Sequence, residues 1–539
     1  MEKGQRFRSF FFLLLLLGLL TALVLGVVSH PRKEIGCRDM AAYADMARSI
    51  VDGHPFYVGF VQHYFLKYNH PFHPLDHYFP LKGLLIAPFF RFLGVSPFAA
   101  LLPSLIIGCL LFPPLIFGIC RRLDCSPAAC FVGGLVMLWH PLVITNTAEV
   151  LADLDFSFFA ACALFCLLGK KTWRQPVLAA FWMAAAFLTK LPALFFLPGF
   201  SLFFLADKNE KFSARWKNLV LFLFLFFLFS SPWLLRNIRL YGDPLFTTNR
   251  YVAGLTGYES VFEWDGPGVA LYWEKEPPAL TSVLSRYGYR HAAEVLAQRF
   301  LVTLKSFPFL GVLVLVPFFT RERSIRVIAL CAILYALFSL VTFAVHERYL
   351  LAVLPAGVVL TAFLLNLAGR AMGSLFSRPF AESKGVYPGW FYRPGKVATI
   401  MILMSLLFFL GDFAESTEKI IGKYGKYRTR ATSYPYLVSQ WIDLNLPEDA
   451  VIMTTSPVEI RYYTNKITLT PASGTPRDFR EILDHYQVEY LALPPTGSGP
   501  LFAACREFIR SPLSQAQLLV RNKSFRVWRL KKNPALSLP

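Results

Sequence analysis

Cysteine is sparse and unpatterned. The nine residues form no CxxC pair, and most lie inside apolar segments, which argues against both a disulfide framework and a thiolate zinc site. Internal repeats and low-complexity tracts are missing too, so there is no sign of the repeated halves common in secondary transporters. Charge is scarce at 16% of residues, and acid is scarcer than base, with 34 Asp and Glu against 54 Lys and Arg. The resulting net charge of +20 would suit a nucleic-acid binder if it were clustered on one surface. It is instead dispersed into short basic loops between apolar runs, so no nucleic-acid partner is expected.

Apolar residues make up 55% of the chain, 53 of them Phe, and the mean hydropathy is +0.47. Apolar runs near the length that crosses about 30 Å of hydrocarbon recur over the first three quarters. The fold class read from this is a polytopic α-helical membrane protein with about eleven spans. The first, Ser9–Val28, follows basic residues and is too long for a signal peptide, so it is read as an uncleaved anchor with a cytoplasmic N-terminus. The basic loops near 121, 170, 210 and 321, and the segment 367–396, are assigned inside. Loops 29–96, 140–153, the Thr189–Lys190 turn, 236–297, the turn at 346–349 and everything after about 412 then fall outside, in an inner (plasma) membrane setting. Residues 412–539 change character. "DAVIMTT" and "VEYLALP" read as buried strands, "PYLVSQWIDLNL" and "PRDFREILDHY" as amphipathic helices, which predicts a small extracytoplasmic α/β domain behind a membrane domain of residues 1–411. That tail has no Gly-rich phosphate loop and no nucleophile elbow.

The first external loop carries the most chemistry. In "CRDMAAYADMARSIVDG", Tyr43, Met46, Ile50 and Val51 fall at helical spacing, predicting a helix lying on the membrane surface with its apolar side down. Asp39 opens this helix, where it reads either as an N-cap or as a general base at the lipid–water boundary. His54, His63, His70, His73 and His77 crowd the same loop. His70, His73 and His77 are the candidates for a divalent ion, but interleaved prolines and an unfamiliar spacing favour a rigid aromatic loop.

The loop resembles the first external loop of GT-C glycosyltransferases of the protein O-mannosyltransferase and ArnT-like type: Asp39, Tyr43, Ala47, Arg48, Ser49, Asp52 and Gly53 fall in register, while Met40 replaces a frequent Glu. "YFPLKGLLIAPFF" is similar to that family's Pro-Pro-Leu-Tyr segment, with Phe79 and Lys82 departing from it. "HPLVITNTAEVLADLD", "AAFLTKLPALFFLP" (Leu191 in place of Gly), "SPWLLRNIRLYGDPLF" and "HERYLLAVLP" resemble later elements in the same order, over about residues 35–357.

What the resemblance implies is a glycosyltransferase moving a hexosyl or pentosyl unit from an undecaprenyl- or dolichyl-type phosphate to an acceptor hydroxyl on a lipid, glycan or protein. It implies inversion, no required cofactor, an active site on the extracytoplasmic face, and a place in lipopolysaccharide or protein glycosylation at the cell envelope. Asp39 would be the base, assisted by Asp153. Tyr43, Lys82, Glu149, Lys190, Arg236, His346, Arg348 and Tyr349 are the substrate-binding candidates, the cations among them suited to a lipid phosphate or, alternatively, to snorkelling toward headgroups. The rival readings are a flippase of lipid-linked sugars and a non-catalytic component of envelope assembly.

Overall fold

The computed structural model describes residues 2–30, 32–206, 210–252, 322–342, 347–377, 432–472, 475–496, 500–511 and 514–530, with a few single positions such as 273 and 418. Helix α1 (Glu2–Ser29) is an unbroken apolar rod. Leu14 and Leu25 turn inward, while Phe12, Leu16, Leu20 and Val27 are at least half exposed, as a lipid-facing side requires. Gly18 lets it approach closely, since a Cβ there would stand 2.2 Å from the Cys109 carbonyl oxygen.

Helix α2 (Arg38–Val51) belongs to the first long loop, and α3 (Leu81–Leu93) leads back into the bundle. Helix α4 (Pro97–Leu105) continues through a wide turn (Ile106–Leu111) into α5 (Phe112–Arg122). Pro113 and Pro114 have no N–H to donate, and the wider turn ahead of them accommodates the missing bonds without breaking the rod. A 52° bend separates α6 (Pro127–Trp139) from α7 (Pro141–Thr147). His140 there is extended, as a residue before proline prefers, and its Nδ1 accepts from the Leu142 N–H to cap α7. Next come α8 (Asp153–Leu167), α9 (Arg174–Thr189), a 3₁₀ turn (Leu191–Phe196), α10 (Leu197–Leu205), α11 (Phe212–Tyr241) and α12 (Arg323–Thr342). A second 3₁₀ turn (Glu347–Ala352) precedes α13 (Leu354–Ser377).

Three rods are long and apolar enough to cross a membrane, Gly4–Ser29, Pro97–Arg122 and Phe212–Tyr241, and the bent α6–α7 pair makes a fourth. The expected count of eleven is not reached among the described residues. Several apolar helices are shorter than a full span, and segments 299–321 and 378–417 lie outside the described residues.

After residue 432 the chain forms α14 (Tyr434–Asn445), α15 (Pro457–Thr464), α16 (Pro476–Tyr486) and α17 (Pro500–Arg510) around a sheet. Thr475 and Asp478 make a reciprocal capping box at the start of α16. Among the described residues, strand β1 (Tyr57–Val58) pairs only with β3 (His73–Pro74), inside the first loop. The six-stranded sheet runs β2 (Phe60–Val61), β5 (Ile467–Leu469), β4 (Val451–Thr454), β6 (Tyr490–Leu493), β8 (Arg526–Arg529), β7 (Gln517–Arg521). Its first four strands are parallel and β8 and β7 are antiparallel. Strand β2 comes from the first loop, so this sheet straddles the boundary expected between residues 411 and 412.

The same docking corrects the picture of α2 as a helix floating on the membrane surface. Its small residues Ala41, Ala42, Ala44 and Ala47 are buried, and it packs between α3 and α15. On one side a Cβ at Gly83 would lie 2.4 Å from Met46 Sδ, so any larger residue there would force the buried Met46 side chain to move. On the other, Arg461 Nε donates to Asp45 Oδ1 at 3.1 Å, with the two side chains 8% and 0% exposed. Helical periodicity marked a buried stripe without revealing that protein, on two sides, covers it.

Breaking that pair strands a charge. Arg461→Ala is expected to destabilise the protein by about 3 kcal/mol, read as earlier thermal unfolding in detergent. The paired change Asp45→Leu with Arg461→Met should recover most of the loss. An Arg461→Ala protein as stable as the parent would show that the contact does not hold the tail to the loop.

Candidate active site

Asp39 is the second residue of α2, not its cap, because Cys37 occupies the N-cap position and makes no side-chain capping bond. Free of that duty, the carboxylate is held by two other groups. Its Oδ2 accepts from Arg348 Nη2 at 2.8 Å, and its Oδ1 accepts from the Tyr78 hydroxyl at 3.0 Å. Arg348 arrives from the 3₁₀ turn before α13, and Tyr78 from the loop that enters α3. Tyr78 is steadied by the Tyr43 ring at 5.0 Å and the His77 ring at 4.5 Å, both edge-on.

A second ion pair stands beside the first. Asp153 begins α8, and its Oδ1 accepts from Lys190 Nζ at 2.6 Å. Lys190 ends α9 with extended backbone. Its ammonium lies 5.1 Å from the centre of the Tyr349 ring, and the Arg348 guanidinium lies 5.3 Å from the same ring. Tyr349 thus joins the two pairs, gathering five of the expected residues, Asp39, Asp153, Lys190, Arg348 and Tyr349, with Tyr43 alongside.

Electrostatics set the resting state of this group. Burial pushes the Asp39 carboxyl up, but the Arg348 charge and hydrogen bond, helped by His77 and Lys190, hold it below the usual carboxylate range. Burial opposes the charge on Arg348, yet Asp153 and Asp39 keep its pKa above the ordinary value. His77 is lowered by burial, against the pull of Asp76 and Asp39, which keeps the imidazole neutral at pH 7. Tyr78 is raised by burial and by the Asp39 charge, so its hydroxyl stays a donor.

The remaining candidates lie elsewhere. Lys82 donates to Asp155 Oδ2 at 2.7 Å and to Ser104 Oγ at 2.8 Å, with both charged side chains 0% exposed, whereas Arg348 and Asp39 are 26% and 31% exposed. Lys82 is therefore sealed in its own buried pair and not presented with Lys190 and Arg348. Arg236, near the end of α11, reaches the Phe56 carbonyl at 3.4 Å and lies 4.5 Å from the Trp233 ring centre, bracing the first loop. Glu149 is buried in the turn before α8, on the side of Cys37, whose thiol is pushed up by burial and by the charges of Asp39 and Glu149. His346 lies outside the described residues.

The histidines of the first loop do not assemble a metal centre. His70 Nδ1 accepts from the Phe72 N–H at 3.0 Å. Both His73 nitrogens face carbonyls, those of Pro74 at 2.9 Å and Phe60 at 3.1 Å. His77 Nδ1 meets Thr248 Oγ1 at 3.1 Å. Each of these three rings is committed to a structural contact, within the loop or to the segment after α11, and among the described residues no group of three or more His, Cys, Asp or Glu is placed to hold an ion.

Three residues went unremarked in the sequence. Tyr78 opens the quoted "YFPLKG" segment, and Asp155 follows Asp153 by two. Thr248 has no local signal at all. Its N–H donates to the Asp76 carbonyl at 2.9 Å, strapping the segment after α11 to the site loop.

Comparison with known proteins agrees with this architecture. Residues 70–235 match the family model described as dolichyl-phosphate-mannose-protein mannosyltransferase. Curated protein sequences return no match. Among solved structures, ArnT from Cupriavidus metallidurans bound to undecaprenyl phosphate superposes with a TM-score of 0.58 at 17% identity, covering 97% of this chain and 99% of that one. The Archaeoglobus fulgidus oligosaccharyltransferase in complex with Zn and sulfate gives 0.51 at 11% identity, over 88% of this chain and 68% of that one. The mycobacterial arabinofuranosyltransferase AftD gives 0.51 at 13% identity, over 96% of this chain but 40% of its own. Identities this low carry the fold and not the activity. The chain thus shares the fold of these structures, and its residues 70–235 are similar to the mannosyltransferase family of the matching model.

Proposed function

We propose that the protein is a glycosyltransferase that moves a sugar from a polyprenyl-phosphate carrier to an acceptor hydroxyl at the extracytoplasmic face of the inner membrane, in one inverting displacement. Asp39 takes the acceptor's proton as that oxygen attacks the anomeric carbon. The bond from that carbon to the phosphate oxygen breaks, and the electron pair leaves with the phosphate. Lys190 and Arg348 stabilise the charge that collects there, and Asp153 sets the position of Lys190. The observation that carries the reading is the partly exposed Asp39–Arg348 pair lying beside the Lys190–Asp153 pair on one tyrosine ring. The undecaprenyl phosphate in the similar ArnT structure supports the choice of donor.

The resting ion pair also suggests how the base is activated. While Arg348 holds Asp39, the carboxylate is a weak base. A lipid phosphate competing for Arg348 would release Asp39 and raise its affinity for a proton at the moment it is needed.

Binding of undecaprenyl phosphate to the purified protein in detergent tests the donor side. Lys190→Met is expected to weaken it about 10- to 100-fold, the effect of losing a hydrogen bond to a charged group. Equal binding by parent and variant would remove Lys190 from the phosphate site.

A further inference from the structure

The two partners of the Asp39 carboxylate differ in kind and in exposure. Arg348 is a cation on a long side chain, and both it and Asp39 are partly exposed. Tyr78 is a buried neutral donor whose hydroxyl reaches Oδ1 at 3.0 Å. Its chain neighbours pin it from both sides. His77 is tied to the segment after α11, its carbonyl accepting from Thr247 Oγ1 at 2.9 Å and its Nδ1 meeting Thr248 Oγ1 at 3.1 Å. Phe79 sets its ring 5.4 Å from that of Phe187 on α9 and 6.0 Å from that of Trp233 on α11. The rings of Tyr43 and His77 then meet the Tyr78 ring edge-on. Packing of this kind leaves Tyr78 little freedom to follow a ligand. Arg348, with more rotatable bonds and part of its surface open, can turn to one.

We propose that Tyr78 is the positioning residue of the base: it stays on Asp39 Oδ1 through the reaction, so that Oδ2, freed when Arg348 turns to the phosphate, takes the acceptor's proton. This deepens the functional reading above and rests on it. A carboxylate held through Arg348 alone would be free to rotate about its Cβ–Cγ bond once that partner left. With Oδ1 tethered, the lone pairs of Oδ2 keep one direction. A neutral phenol suits the task, since it orients the base without a second ion pair that would suppress its basicity. The acceptor O–H bond breaks and its proton goes to Oδ2. The Tyr78 proton stays on its own oxygen, where burial and the Asp39 charge hold it. The charged and titratable groups around this pair are Arg348 before α13, Lys190 ending α9, Asp153 opening α8, Glu459 on α15, His77 in the same loop, and Cys37, Arg38 and Tyr43 at the start of α2. All of them remain when the Tyr78 hydroxyl is removed, so a shifted pH profile reports that hydroxyl.

The test follows transfer by the full chain in phosphatidylethanolamine–phosphatidylglycerol vesicles across a range of pH. The donor is the polyprenyl-phosphate-sugar fraction of a strain lacking the protein, and the acceptor is that strain's envelope extract. Tyr78→Phe keeps both ring contacts and removes one hydrogen bond. With donor saturating, the acid limb of its transfer rate should lie about one to two pH units above the parent's, because the carboxylate has lost a donor that favoured its charged form. The rate on the plateau should fall about 10-fold as the base loses its orientation. Half-saturation by donor should stay unchanged, since the hydroxyl serves the base and not the phosphate. Tyr78→Met should move the limb the same way and replaces the Phe variant if that one proves unstable. A merely structural role would lower the yield of folded protein and leave the limb in place. An unmoved limb, whatever the folded yield, therefore overturns the proposal, as does a donor half-saturation raised about 10-fold or more. Asp39→Asn run alongside separates the two claims. If it is inactive while Tyr78→Phe behaves as the parent, only the Tyr78 assignment falls. If it transfers normally, the base assignment falls.

Discussion

Asp39→Asn is expected to lower the rate of sugar transfer by about 10²- to 10⁴-fold, the usual contribution of a positioned general base, while protein level and thermal unfolding stay close to those of the parent. The asparagine keeps the shape: its single oxygen can still accept from Arg348, and its NH₂ can donate to the Tyr78 oxygen, the two groups that hold the wild-type carboxylate at 2.8 and 3.0 Å. It cannot take a proton. The pH dependence carries a second signature. In the free protein Asp39 is held below the ordinary carboxylate range by Arg348 despite burial, so the acid limb of kcat/KM should lie below that range. In the donor complex, with Arg348 drawn to the phosphate, the acid limb of kcat should move to higher pH. Coincident limbs would show that Arg348 stays on Asp39 throughout.

Lys82→Met is expected to destabilise the protein by about 4–5 kcal/mol, the upper end for breaking a buried ion pair, because it leaves the Asp155 carboxyl sealed at 0% exposure without its charge partner. Asp155 Oδ1 already has no partner among the described residues, so little remains to absorb the loss of its only cation contact at 2.7 Å. The double change Lys82→Met with Asp155→Leu removes both charges and should restore folding in part, since apolar replacements of buried pairs are often neutral. Thermal unfolding of the three detergent-purified proteins gives the comparison. A Lys82→Met protein that folds normally but loses undecaprenyl phosphate binding would instead return Lys82 to the donor site.

The contrast between Lys82 and Lys190 shows where sequence reasoning stops. Each is a lone lysine at the outer end of an apolar segment, and local pattern cannot tell them apart. What separates them is which acid the fold sets opposite: Asp153, whose lysine stays 20% exposed, or Asp155, where both partners are sealed at 0%. The pairing of Asp39 with Arg348 spans 309 positions, so no spacing rule could state it, although both residues were marked by lying at expected span ends. Two strands of the tail, Val451–Thr454 and Tyr490–Leu493, were legible as short buried runs, and two helices, Tyr434–Asn445 and Pro476–Tyr486, from their amphipathic period. The two-residue strand Phe60–Val61 that completes their sheet was not, because two residues carry no period at all. The docking of α15 on α2 was invisible for a related reason, since an Asp–Arg pair separated by 416 positions holds it.

The most direct measurement is mass spectrometry of envelope lipids and glycans from a strain lacking the protein, complemented with either the parent chain or Asp39→Asn at matched membrane levels. The parent should restore one sugar substituent that the deletion strain lacks, and Asp39→Asn should leave it missing, with the unused polyprenyl-phosphate sugar accumulating. A full complement of that substituent in the Asp39→Asn strain would contradict the account.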